Sequence, residues 1–353
     1  MSHEKLVVGW VGAPLPDSHL NETAEPWPSH KTGDKILFDP AADGPYLDQL
    51  HSGQYVIHFG GNSHNAAVAN ASDSRFEVHE LWAKGKSPEA EAIERDMVQR
   101  GIISHSVFSI NHQNGGSFVK AMDGDRGIVT MPRTPLHETI KPQHVRDFLR
   151  IRGLGAVGIS SLKSPELNAV MAKELSHVHA ERRKLGLADL FTAHNPGSGE
   201  FKAGLLETWG TYRHSLVVGN RDEFNDLYGE DTAAVHAEHN LEYAGMSVVS
   251  DGIRPLQIAY APNVLRDKPR GGAFEIPTLA LDKSQVVDTT GAGDRLTSVF
   301  TSATFYAQQT GELTIKRLVQ IAEFAAMEAG TVIQHLGGHG DKPYPKKSTL
   351  TLS

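Results

Sequence analysis

Asp288-Thr289-Thr290-Gly291-Ala292-Gly293-Asp294 runs directly into Arg295–Gln309, where Leu296, Val299, Phe300 and Ala303 recur at helical spacing. A glycine-rich turn therefore opens straight into a helix. Small residues let backbone N–H groups converge on an anion, and the helix N-terminus adds roughly half a positive charge there. Such a hollow suits the negative charge that develops on a transferred phosphoryl group. A carboxylate beside it would be repelled by phosphate, so Asp294 needs a purpose, and accepting a proton from an attacking hydroxyl is one. The competing reading is that Asp288 or Asp294 only caps the helix, an ordinary role for aspartate.

Two further segments share this strand-turn-helix grammar. Gly60-Gly61-Asn62-Ser63-His64-Asn65-Ala66-Ala67 follows the strand candidate Tyr55–Phe59 and precedes an alanine-rich helix. Its glycines permit close backbone approach, and Asn62 and Asn65 offer donors and acceptors suited to hydroxyl-bearing ligands. A tight, Asn-capped turn explains the same letters, and His64 reads as a packing or surface histidine. Val217-Val218-Gly219-Asn220-Arg221-Asp222-Glu223 ends another apolar run. Asn220 with Glu223 matches a capping box, or else an acidic group that helps organise magnesium and a triphosphate.

Around these segments, short apolar runs alternate with amphipathic stretches. Strand candidates are Leu6–Val11, Val78–Trp82, Ala156–Ser160, Ser215–Val218 and Met246–Val249, besides Tyr55–Phe59. Helices are expected over Pro88–Arg100, after Ser87 and before Gly101, and over Pro165–Leu185, after Ser164 and before Gly186. The pattern predicts an α/β fold with a mostly parallel central sheet flanked by helices. Two regions break the rhythm. Segment 13–50 is loop-rich, and 104–132 holds two β-like runs around Asp123-Gly124, a strong hairpin signal. Together they are expected to form a small β-rich lid on one large domain spanning 1–353.

The 353 residues carry a net charge of −8, so no basic field offers itself to nucleic acid. With no cysteine, disulfides, thiolate zinc sites and cysteine nucleophiles are excluded. The apolar runs are strand-sized, far short of the roughly 20 residues of a membrane span, and MSHEKLVVGWVG has no secretory pattern. A cytoplasmic location without membrane attachment is the expectation. Gly153-Leu154-Gly155-Ala156-Val157-Gly158 satisfies GxGxxG but runs into a strand instead of following one, which argues against a dinucleotide fold. Among nineteen histidines, His335–His339 is the densest cluster, without a matching carboxylate framework.

The three glycine- and asparagine-bearing segments, in this order, resemble the ribokinase-like (PfkB) carbohydrate kinase family. Gly60–Ala67 is similar to its early signature, Asp288–Asp294 to its late one and Asn220-x-x-Glu223 to its Asn-x-x-Glu motif. The resemblance implies an enzyme that moves the γ-phosphoryl group of ATP to a substrate hydroxyl with Mg²⁺. Asp294 would be the general base, and the backbone of Gly291, Ala292 and Gly293 the anion hole. Gly61, Asn62 and Asn65 would meet the acceptor. Asn220 and Glu223 would serve the phosphate–magnesium side. Asp288 and Thr290 match positions that hold a monovalent cation such as K⁺ in some members. Dimers through the lid also occur in the family.

This chain departs from the pattern in three places. Arg295 and Leu296 follow the base where a small residue and Phe are common, so Arg295 is expected to assist phosphate or point to solvent. The nucleotide loop survives in part as Ser250-Asp251-Gly252-Ile253-Arg254-Pro255, leaving Ser250 and Gly252 as its donor-side candidates. The acceptor-gripping Asp past the first strand is missing, with Asp17 a late substitute. A sugar acceptor is favoured by the polar early motif and the absence of an obvious aromatic pair. A nucleoside kinase is the alternative, and so is a catalytically silent sensor of sugar or nucleotide.

Overall fold

In the computed structural model, residues 5–20, 35–37, 55–122, 125–131, 133–197, 208, 210–279, 281–287, 289 and 291–335 are described. The strands are β1 (Leu6–Val11), β2 (Leu15–Leu20), β3 (Lys35–Leu37), β4 (Tyr55–Gly60), β5 (Phe76–Lys84), β6 (Ile102–Phe108), β7 (Ser117–Met122) and β8 (Asp125–Thr130). They continue with β9 (Leu154–Ser160), β10 (Phe191–Asn195), β11 (His214–Asn220), β12 (Ala244–Asp251), β13 (Arg254–Tyr260) and β14 (Gly272–Ile276). Nine of them form one sheet in the order β14-β13-β12-β11-β10-β9-β1-β5-β6. All neighbours from β6 to β12 run parallel, and β13 and β14 close the far edge antiparallel. The described α-helices are α1 (Asn62–Ala71), α2 (Pro88–Gln99), α3 (Leu136–Thr139), α4 (Pro142–Leu149), α5 (Pro165–Lys184), α6 (Arg221–Tyr228), α7 (Ala233–His239), α8 (Ala292–Gln309) and α9 (Ile315–Val332).

A parallel sheet covered on both faces buries both sides of every strand, which is why β1 reads as an unbroken apolar run. Alternate residues feed two cores: Val8 and Trp10 join Val78, Trp82 and Phe300, while Val7 and Val11 join Leu81, Val157 and Phe148. Each large side chain taken fully out of water contributes roughly 1.5–3 kcal/mol. The expected helix stops are present. The Ser87 and Ser164 side chains accept from Ala90 N and Leu167 N, and Gly101 and Gly186 take positive φ. The GxGxxG letters serve packing, since a Cβ on Gly155 would press into the Phe305 ring and one on Gly158 into Trp10.

The second sheet has five strands in the order β3-β8-β7-β2-β4, with β7 and β8 pairing as a hairpin whose Asp123-Gly124 tip lies outside the described residues. Its membership corrects the expected lid limits. Tyr55–Gly60 belongs to it, antiparallel to β2, whereas residues 104–108 are the end of β6 in the large sheet. An apolar run looks the same in either sheet, because only the pairing partner distinguishes them. Of segment 13–50, residues 21–34 and 38–50 lie outside the described residues.

Candidate active site

Helix α8 begins at Gly291, whose φ of 82° is left-handed and which supplies no side-chain cap. A residue with a Cβ would be strained there. Gly291 therefore gives the first N–H groups of α8 no side-chain cap of its own, and a Cβ on Gly293 would meet open space. The capping reading of Asp294 does not hold, because the N-cap position belongs to Gly291. Asp294 is instead buried one turn into the helix, where its Oδ2 accepts from Asn65 Nδ2 at 2.6 Å.

Asn65 comes from α1, which starts behind Gly61 with φ 92°; a Cβ there would stand 2.3 Å from the Ala13 carbonyl oxygen. Asn62 opens the helix, half-buried, and Asn65 N donates to Gly61 O at 2.9 Å. The remaining amide oxygen of Asn65 is buried and accepts no hydrogen bond. An unmet acceptor of this kind costs about 1–3 kcal/mol unless a ligand or water fills it. Asp17 lies in β2, opposite His58 of β4 and beside Ser117 of β7, two residues from the Leu15–Gly60 pair at the mouth of the site.

Below this contact, α1 and α8 are joined by polar side chains that the motif reading missed. Ser298 Oγ donates to Ala66 O at 3.0 Å, Asn70 Nδ2 donates to Ser298 O at 3.3 Å, and Trp10 Nε1 donates to Asn70 Oδ1 at 3.0 Å. Asn195, at the C-terminal end of β10, donates to Thr297 Oγ1 at 3.2 Å. Their signal was in the letters: Thr297, Ser298, Thr301 and Ser302 repeat at four-residue spacing among the apolar Leu296, Val299, Phe300 and Ala303 of the same helix.

His64 is a packing histidine, as expected, but a charged one. It is fully buried, with Nδ1 2.9 Å from Glu80 Oε2 and Nε2 3.2 Å from Asp96 Oδ2, while Ser63 Oγ donates to Glu80 Oε1 at 3.0 Å. Burial alone would lower its pKa, yet the two carboxylates outweigh that and raise it to about 9. Asp96 responds in kind. Burial would raise it, but His64 and Arg100 hold it down at about 2.

The third segment closes on itself. The Asn220 side chain accepts from Glu223 N, and Asn220 N donates to Glu223 Oε2, both at 2.9 Å, completing the capping box of α6. Asn220 pairs with Ser250 across β11 and β12. The Ser250–Pro255 stretch is a tight hairpin in which Asp251 faces Arg254 and Gly252 has φ 58°. Asp251 Oδ2 accepts from Arg221 at 3.1 Å and from Arg254 at 2.8 Å, so two guanidinium groups share one carboxylate at this rim.

Two expectations end differently. Arg295 neither turns to solvent nor stands ready for phosphate; it is buried and donates to Glu328 of α9, through Nε at 3.0 Å and also through a terminal nitrogen. A helix residue one step past Asp294 faces the neighbouring helix, which is where its charge found a partner. Asp288 and Thr290, the expected cation pair, lie outside the described residues, as does most of the His335–His339 cluster. Among the described residues no group of three or more His, Asp or Glu is placed to hold a metal, and no helix is long and apolar enough to cross a membrane.

Comparison with known proteins bears on the fold. The chain is similar to adenosine kinase from Schistosoma mansoni in complex with 2-fluoroadenosine (TM-score 0.73, 15% identity, covering 96% of this chain and 98% of that one). It is similar to ribokinase from Giardia lamblia (TM-score 0.72, 15% identity, 95% of each chain). A third likeness is adenosine kinase from Sinorhizobium meliloti (TM-score 0.69, 17% identity, 96% and 97%). At such identities these likenesses establish the ribokinase-like fold alone. No curated protein sequence matches the chain. The model of the pfkB family carbohydrate kinases, however, matches residues 31–344, and the chain belongs to that family.

Proposed function

We propose that this protein transfers the γ-phosphoryl group of ATP to a hydroxyl of a small sugar or sugar-like molecule, with Asp294 as general base. The observation that carries the reading is the Asn65–Asp294 hydrogen bond, which brings the two glycine-rich segments to one point at the head of α8. Asp294 takes the proton of the attacking hydroxyl. Backbone N–H groups of Gly291, Ala292 and Gly293 receive the charge that develops on the moving phosphoryl group. Asn65, with its unmet amide oxygen, holds the acceptor together with Gly61, Asn62 and Asp17. The uncapped head of α8 and the open space over Gly293 fit a phosphate.

Asn220, Glu223, Ser250 and Gly252 form the donor side. Mg²⁺ there would neutralise the donor phosphates, and Glu223 is the carboxylate that would orient it through water; Mg²⁺ commonly needs only one or two protein carboxylates. Asp288 and Thr290 are assigned to a monovalent cation. Closure of the five-stranded sheet over the acceptor excludes water and limits ATP hydrolysis. A cytoplasmic location completes the reading.

The test is ADP release with Mg-ATP against a panel of sugars and nucleosides, run beside Asp294→Asn. Release with a sugar, lost in the variant, is expected. Release with adenosine or another nucleoside alone moves the acceptor to the alternative class, for which the adenosine kinase likenesses argue. Silence across the panel, together with no thermal stabilisation by millimolar Mg-ATP, overturns catalysis in favour of a sensor.

A further inference from the structure

The two edges of the large sheet are finished very differently. β14 is five residues long, begins with glycine and carries Glu275, common devices against edge-to-edge pairing. β6 is seven residues long, Ile-Ile-Ser-His-Ser-Val-Phe, with no Lys, Asp, Glu or Pro, and pairs only with β5 among the described residues. Its single titratable group, His105, is lowered by burial and then by neighbouring His79, which keeps it neutral at pH 7.

Large apolar side chains lie open along this edge: Val98 at 68% exposure, Ile103 at 41%, Phe108 at 60% and Ile110 at 66%. They lie on both faces of the sheet. Ser104 and Ser106 donate to Glu94 of α2, so the alternating residues Ile102 and Phe108 share the α2 face. His105 packs edge-on against Phe148 of α4, which places Ile103 and Val107 on the opposite face. A partner resting on one face would cover half of this set. A strand continuing the sheet covers both.

We infer that β6 pairs with β6 of a second copy, antiparallel about a two-fold axis at His105, extending the large sheet across a homodimer. The register is self-complementary. Ile103 falls opposite the partner's Val107, and Ile102 opposite the partner's Phe108. Val98 lies in the last turn of α2, just before the strand, where its carbonyl accepts from Gly101 N at 3.1 Å, so the partner's Phe108 covers it, and the contact occurs twice. No like charges meet across the axis, because the strand has none at neutral pH. This dimer is independent of the proposed catalytic reading and distinct from pairing through the small sheet.

Sedimentation equilibrium of the full chain tests it with Val98→Lys and Phe108→Glu, both at exposed positions; thermal melts within a few degrees of wild type confirm folding. The wild type is expected at twice the 38.4 kDa chain mass at micromolar concentration. Each variant alone should raise the dimer dissociation constant at least about tenfold. An equimolar mixture of the two should restore the dimer, since one Val98→Lys site then faces one Phe108→Glu site. A wild type that stays monomeric to about 100 µM overturns the inference. So do variants that remain fully dimeric, as pairing through the small sheet requires, and so does a mixture that fails to reassociate.

Discussion

Asn65 and Asp294, 229 residues apart in sequence, meet inside the protein, whereas Asn220 and Glu223, three apart, complete each other at its rim. The first pair leaves something over: a buried amide oxygen without a partner, above a helix head without a cap. Within the cap, the second pair's donors and acceptors answer each other. Unmet polar capacity in a buried place is expensive to keep, so it points to a ligand more strongly than a satisfied cap does. The comparison favours the α8 head for the proposed chemistry, and at the rim it sets folding and the proposed donor binding in competition for the same atoms.

The contrast breaks first at Asp294. Asp294→Asn keeps the shape and the hydrogen-bond capacity but removes the base, so turnover should fall by about 10²–10⁴. More than a tenth of wild-type rate in steady-state assays would remove Asp294 from that role. Next comes the support beneath Asn65. His64→Gln leaves Glu80 and Asp96 without the buried imidazolium between them, and breaking such a pair costs about 3–5 kcal/mol. Folded His64 holds its proton to about pH 9, while an unfolded histidine loses it near 6.5. Its contribution is therefore complete below about pH 6.5 and is lost as pH rises through 9. Denaturant titrations at pH 6 and pH 9.5 should show the wild-type advantage over His64→Gln shrinking at the higher pH; an equal gap at both would mean the histidine is neutral.

Asn65→Ala should act on the acceptor, raising its apparent KM about 3- to 10-fold, the size expected for one neutral hydrogen bond. Unchanged KM would show that Asn65 serves Asp294 alone. The smallest effect is the sharpest at the rim. Asn220→Ser preserves an N-cap oxygen, so stability should move by less than about 0.5 kcal/mol. If the amide also meets the donor, KM for ATP rises while the melting temperature holds. If neither moves, the segment is a cap and nothing more.

Much of this was open to sequence reading because it is local. Strand runs, Ser-Pro helix starts, glycine stops and the turn into α8 each depend on neighbours within a few residues. Two of the candidate site segments belong to the same class, since the helix heads at Gly61 and Gly291 take a positive φ that glycine adopts without strain. Other features were closed to it. Which sheet receives Tyr55–Gly60 depends on pairing with β2, and an apolar run does not name its partner. Arg295 reads in sequence as a phosphate contact or a solvent-facing residue, and only Glu328, 33 positions away on α9, decides against both. His64 reads only as a packing or surface histidine because its partners Glu80 and Asp96 are separated from it by 16 and 32 residues.

By itself the sequence determined the α/β architecture, the three turn-to-helix segments and their order, because dihedral preference and apolar periodicity act over short spans of chain. Only the tertiary structure decided which charges neutralise one another, which carboxylate meets Asn65, and which sheet edge has no neighbour among the described residues. Those outcomes depend on distance in space, and burial in a low-dielectric interior multiplies the cost or benefit of each pairing in a way that no spacing along the chain encodes.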